Sequence, residues 1–283
     1  MADTGATAGD TGATAADTRA TAAGARIPDR GPAAYVSEFI GTFALVFAVC
    51  ASVVLFAPGA PEQPAAGAAA PITGTNFEDF AVIGLVHVLA LFFLIQTLGV
   101  MSGAHFNPAV TVAMTVVRQI KPIDSAIYIL MQLAGATLGA LAVDAMYGQL
   151  QGGDKVGAVG FNADRLDTTL EGMGIEALGT FFLVWAIMGV AVNPSAVKDW
   201  SGLVIGGTLG FAVMIAAPMT GASFNPARAF GPAVVANEFD KIGRWLLLYV
   251  LAALIGALVA VFLYSWLMVT EGKKGRGGAE PVG

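Results

Sequence analysis

Two asparagines in matching settings are the residues best placed to do chemistry in this chain. Asn107-Pro108-Ala109 lies within Ser102-Gly-Ala-His-Phe-Asn-Pro-Ala-Val, and Asn225-Pro226-Ala227 lies within Thr220-Gly-Ala-Ser-Phe-Asn-Pro-Ala-Arg. Asparagine is a favoured N-cap, because its side-chain oxygen accepts a free backbone N–H of the first turn. Proline fits the first helical position, where its missing N–H costs nothing. One Asn-Pro pair is only a helix start, and Asn193-Pro194 reads as a turn. Two Asn-Pro-Ala copies at equivalent places are far more specific. The chemistry they suit is not bond making. Capped helix N-termini present a positive dipole end, and a carboxamide whose oxygen is used in capping keeps its NH₂ as a donor. Such a pair orients a neutral hydrogen-bonding molecule and repels cations.

The equivalence extends upstream. Glu38-Phe-Ile-Gly-Thr-Phe opens the first half and Glu176-Ala-Leu-Gly-Thr-Phe the second. Each half holds three apolar spans, an odd number, so the second is inverted relative to the first. Inverted repeats with interrupted helices place a substrate path near the membrane midplane. A carboxylate within a span is costly and is functional or paired. Glu38 and Glu176 read as structural acceptors for the irregular backbone before each half-helix, in preference to a proton relay. Gln132 has the same supporting role.

These motifs need a membrane around them. The chain is 56% hydrophobic and 12% charged over 283 residues, against roughly 25% charged in soluble domains. Apolar spans are expected near 34–57, 80–101, 124–147, 173–193, 201–219 and 244–269. Each is close to the roughly 20 residues that cross a bilayer. None alternates as a barrel strand would. Two further stretches, Asn107 to about Val117 and Asn225 to about Val235, are too short to span and read as half-helices. Gly135-xxx-Gly139 and Gly206-xxx-Gly210 have the spacing that lets helix backbones approach closely. The expected fold is an all-α membrane protein with six transmembrane helices, two re-entrant half-helices and an inverted 3+3 repeat.

Residues 1–31 form a low-complexity Ala/Thr/Gly/Asp tail, expected to be disordered and not a signal peptide. The channel domain covers 32–270, with repeats at about 34–147 and 173–269, and a disordered tail covers 271–283. An outer Ala/Pro-rich loop runs from 58 to 72. Nine Lys/Arg flank the spans on the side of the termini and four on the other side, which predicts cytoplasmic termini. The single cysteine, Cys50, excludes an intrachain disulfide framework and reads as a packing residue. With net charge −6 and no basic run, nothing points to nucleic acid. No catalytic constellation, metal cluster or cofactor motif is present.

The two Asn-Pro-Ala segments with their Glu-initiated openings resemble the aquaporin (major intrinsic protein) family over about residues 34–269. The resemblance implies one pore per subunit, a homotetramer, a multi-pass plasma-membrane location, and water as the permeant with small neutral solutes such as ammonia, urea, hydrogen peroxide or glycerol. It also implies a constriction outward of the asparagines, carried here by His87, Val213, Ala222 and Arg228. Arg228 would add donors and a fixed charge. A lone His87 in a span can also be a satisfied core residue. His with Val, Ala and Arg is similar to the set of plant vacuolar-membrane members that pass water plus ammonia, urea or hydrogen peroxide. Dedicated glycerol channels resemble an Asp after the Arg, where this chain has Ala229. His105, just before Asn107, is read either as a brace for its loop or as a pore-lining, pH-sensing group. Helix six departs from the family pattern at Leu248–Ala252. A non-conducting structural or adhesive protein of the same fold is the alternative, and an ion-coupled transporter ranks behind it.

Overall fold

The computed structural model describes residue 27 and residues 29–57, 77–150, 155–239 and 241–277. The loop at 58–72 and most of the N-terminal tail lie outside the described residues. Six helices are long and apolar enough to cross a membrane, and among the described residues there is no strand.

The first repeat comprises α1 (Pro32–Phe56), α2 (Phe77–Ser102), the half-helix α3 (Pro108–Val116) and α4 (Pro122–Tyr147). The second comprises α5 (Thr169–Ile187), α6 (Ser201–Thr220), the half-helix α7 (Pro226–Ala236), α8 (Ile242–Leu246) and α9 (Ala253–Gly277). Local chemistry sets their starts. Proline occupies the first turn of α1, α3, α4 and α7, where no N–H is missed. Thr168 and Glu171 form a reciprocal capping box at α5. Asn193 makes the expected turn, its Oδ1 accepting from Ser195 N at 2.9 Å.

The second repeat is less regular. The fourth span ends in a π-helical turn, Met188–Val192, and the last is interrupted by another, Leu247–Ala252, between α8 and α9. The last helix runs on to Gly277, past the expected domain end at 270. Residues 278–283 lie outside the described residues.

Packing follows the inverted repeat. α4 packs on α1 as α9 packs on α5, α2 packs on α1 as α6 packs on α5, and each half-helix leans on the last span of the other repeat. α2 and α6 meet across the relation between the halves. Small residues set these approaches. A Cβ at Gly135 would meet the carbonyl oxygen of Phe39, and one at the equivalent Gly256 would meet that of Ala177. Gly139 faces the Phe43 carbonyl, and Gly206 and Gly210 face the carbonyls of Val88 and Gly84. Both expected small-residue pairs therefore lie at helix crossings. In lipid, close backbone packing of this kind substitutes for the hydrophobic drive available in water.

Candidate functional site

Each half-helix is preceded by a loop bent through the left-handed region. Gly103, Ala104 and Phe106 have φ of 89°, 52° and 48°, and Gly221, Ala222 and Phe224 have 77°, 49° and 52°. A non-glycine residue held there costs roughly 1–3 kcal/mol and persists only where its surroundings fix it. The buried glutamates supply that fixing. Glu38 accepts from His105 N at 3.0 Å, Phe106 N at 2.7 Å and Gln132 Nε2 at 2.8 Å. Glu176 accepts from Ser223 N at 3.0 Å, Phe224 N at 2.8 Å and the Thr220 hydroxyl at 2.6 Å. Both carboxylates are fully buried, and every one of these bonds satisfies a donor in or against a half-helix loop. The rings of Phe106 and Phe224 sit where a side chain at Gly41 or Gly179 would otherwise stand.

The last span of each repeat supplies a further brace. The hydroxyl of Tyr128 donates to Ser102 O and that of Tyr249 to Thr220 O, both at 2.8 Å. The sequence reading passed over these tyrosines, although both stand seven residues before a crossing glycine, Gly135 and Gly256. The unusual Leu248–Ala252 stretch thus holds its side of the site through Tyr249, within the π-helical turn.

The asparagines cap their helices as expected. Asn107 Oδ1 accepts from Ala109 N at 2.9 Å, and Asn225 Oδ1 accepts from Ala227 N at 3.0 Å and Arg228 N at 3.3 Å. The expectation that each NH₂ stays wholly free is corrected. Asn107 Nδ2 donates to Phe224 O at 2.9 Å, and Asn225 Nδ2 donates to Phe106 O at 2.8 Å. Each half-helix is thereby tied to the loop of the other. A carboxamide has two N–H groups, so one per asparagine remains for a solute. The amide is held because the left-handed phenylalanine turns its carbonyl toward the opposite repeat, which residue types alone do not reveal.

His87, Val213, Ala222 and Arg228 are all buried. The close crossing of α2 and α6 at Gly84 and Gly210 brings the stretches carrying His87 and Val213 side by side. His87 Nδ1 is 2.8 Å from Ile83 O. A carbonyl only accepts, so Nδ1 carries the proton and Nε2 is the nitrogen left for another partner. Arg228 Nη1 donates to Gly157 O at 3.0 Å and lies 3.6 Å from Cys50 Sγ. Gly157 has a φ of 69°, and a Cβ there would collide with the Cys50 backbone. Neither Gly157 nor the closeness of Cys50 to Arg228 was foreseen. The segment before α5 has no motif, and α1 gives no sign of what packs on it.

His105 joins the support network and also reaches open space. Its Nδ1 is 3.1 Å from Thr111 Oγ1, which accepts from Gln132 Nε2 at 2.9 Å. It also lines a cavity of about 240 Å³ that reaches from Arg30 and Gly103 to Asn107 and Asn225. The brace and the lining role therefore belong to one side chain. Gln132 has no counterpart in the second repeat, where Ala253 holds the equivalent place four residues after Tyr249.

The family model described as "Major intrinsic protein" matches residues 31–264. Soybean nodulin-26 is 35% identical over 236 residues, covering 83% of this chain and 78% of that protein. Glycerol uptake facilitator protein-like 6 of Lactiplantibacillus plantarum is 37% identical, covering 81% and 94%. A probable aquaporin AqpM of Archaeoglobus fulgidus is 35% identical, covering 82% and 96%. The X-ray structure of the aquaglyceroporin from Plasmodium falciparum superposes with a TM-score of 0.67 at 21% identity, covering 83% of this chain and 96% of that one. That likeness speaks for the fold alone.

Proposed function

This chain belongs to the major intrinsic protein family, a family of multi-pass membrane channels, and on that premise we propose that it conducts water passively and admits small neutral solutes such as ammonia, urea or hydrogen peroxide while excluding protons and ions. The observation that carries the reading is the pair Asn107 and Asn225 at the meeting of two half-helix N-termini, both beside one cavity. Each keeps one N–H. A water between them accepts through its oxygen, and its own hydrogens then point away along the path. That arrangement interrupts proton hopping, and the two positive helix ends oppose cations.

Solute range rests on the four constriction residues. Relatives of similar identity carry names as different as nodulin-26, glycerol uptake facilitator and aquaporin, so overall likeness does not separate the solutes. Val213 and Ala222 bring little bulk. Arg228 supplies a fixed charge and donors, and His87 Nε2 an acceptor. This set favours small polar molecules over glycerol. A homotetramer in the plasma membrane with cytoplasmic termini completes the proposal. The family and the nine flanking cations on the terminal side support it.

The test is stopped-flow light scattering of proteoliposomes. Shrinkage in an impermeant osmolyte faster than that of empty liposomes supports the channel, and urea and ammonium gradients then define its range. No flux above empty liposomes puts the non-conducting structural protein ahead.

A further inference from the structure

The cavity beside the asparagines opens toward the side of the chain that carries both termini. It is lined there by Gln119, Ser201 and Arg30. Arg30 precedes the first span and stands outside both repeats. In the fold it is half-buried, and its guanidinium stands near Gly103: a Cβ there would lie 3.7 Å from Arg30 Nη2 and 3.5 Å from His105 Nε2. Arg30 Nε is buried with no hydrogen-bond partner.

The backbone around this arginine is held on both sides. Asp29 pairs with Lys121, just before α4. The Tyr35 hydroxyl donates to Asp124 Oδ1 at 2.6 Å and lies 3.1 Å from the Arg30 carbonyl oxygen. A lysine or arginine placed only to face lipid headgroups extends outward. Here the clamp directs the guanidinium to the cavity wall instead.

Resting on the channel reading above, we propose that Arg30 is a specificity-determining residue of the permeation path, a second fixed cation at the mouth opposite Arg228. A solute entering from the terminal side meets Arg30 before the asparagine pair. One leaving toward the other side meets Arg228 after it. Positive charge at both ends, with two half-helix dipoles between, keeps cations from lodging in the path from either direction. Neutral molecules are unaffected by the sign of the charge but feel its bulk.

The test uses full-length protein in liposomes with tetramethylammonium, a cation too bulky for the path, at equal concentration on both faces. Wild-type water flux should be unchanged by it. In Arg30→Glu the reversed charge should hold the cation in the mouth and lower water flux about threefold, a modest effect for one charge in a screened opening. Arg30→Ala removes the charge and the bulk together, so it should admit urea and methylammonium faster than wild type. Arg30→Glu insensitive to the cation overturns the proposal. If that variant does not insert, Arg30→Ala decides: it must admit urea or methylammonium faster than wild type, and equal rates for both overturn the proposal. Absence of water flux in the wild type overturns the channel reading itself, which this design separates from a failure of Arg30.

Discussion

The carboxamide of Asn107 donates to the main-chain carbonyl of Phe224 at 2.9 Å, and the reverse bond, Asn225 to Phe106, measures 2.8 Å. The two repeats are thus joined in the buried interior by the side chains that also cap the half-helices. One residue type performs the capping, the cross-tie and the presentation of a donor to a solute.

Replacing either asparagine should therefore cost stability as well as flux. Asn107→Ala removes a cap worth about 1 kcal/mol and leaves Phe224 O buried without its donor, for about 1–3 kcal/mol more. Asn225→Ala should cost more than Asn107→Ala, because Asn225 Oδ1 serves two N–H groups and Asn107 Oδ1 one. Thermal unfolding in detergent measures the order. A reversed order, or no loss in either variant, would contradict the cross-tie.

Glu38 and Glu176 should behave as braces. Glu176→Gln replaces one accepting carboxylate oxygen with an NH₂ that cannot accept, so at least one of Phe224 N, Ser223 N and the Thr220 hydroxyl loses its acceptor at a cost of about 1–3 kcal/mol. The expected result is a lower unfolding temperature, reduced water flux and no change in proton movement. Solute flux that follows a proton gradient in the wild type and not in this variant would restore the relay reading.

The repeat made much of this legible in advance. Two Glu residues at equivalent places before two Asn-Pro-Ala motifs are hard to read except as one device used twice, and the small-residue pairs marked close helix approaches, though not which helices meet there. What stayed hidden depends on backbone direction and on segments distant in sequence. The carbonyls of Phe106 and Phe224 are functional because their residues are left-handed. Gly157 matters through its carbonyl and through its lack of a side chain against Cys50. Tyr249 does the work of Tyr128 at the same spacing from its crossing glycine, but a tyrosine within an apolar span carries no motif that marks it as a brace. Arg30 was invisible because its role comes from a chain segment outside the repeat.

Mercury should inhibit weakly. The family resemblance puts Ala222 where mercury-sensitive members carry a cysteine, and the one thiol, Cys50, is fully buried beneath Gly157 and beside Arg228. Reaction there requires the 155–168 segment to lift away. Water flux in liposomes before and after mercuric chloride checks this. Rapid inhibition that disappears in Cys50→Ser would show that the segment opens readily.

Val213→His should remove solute flux before it removes water flux. Val213 is buried on α6 beside the part of α2 that carries His87, so on the proposed constriction an imidazole in its place narrows the path. It also adds a second ring nitrogen to the donors and acceptors already supplied by Arg228 and His87. Water needs only a single-file opening and can exchange hydrogen bonds with all three groups. Urea needs more width and loses it first. A hydrophobic site rejects an added group by only about 1–3 kcal/mol, so urea flux is expected to fall roughly 10-fold or more while water flux falls far less. Parallel urea and osmotic measurements on the same liposomes give the ratio. Equal losses of both would mean that the narrowest point lies elsewhere, and the asparagine pair, with one N–H of each already committed, becomes the next place to look.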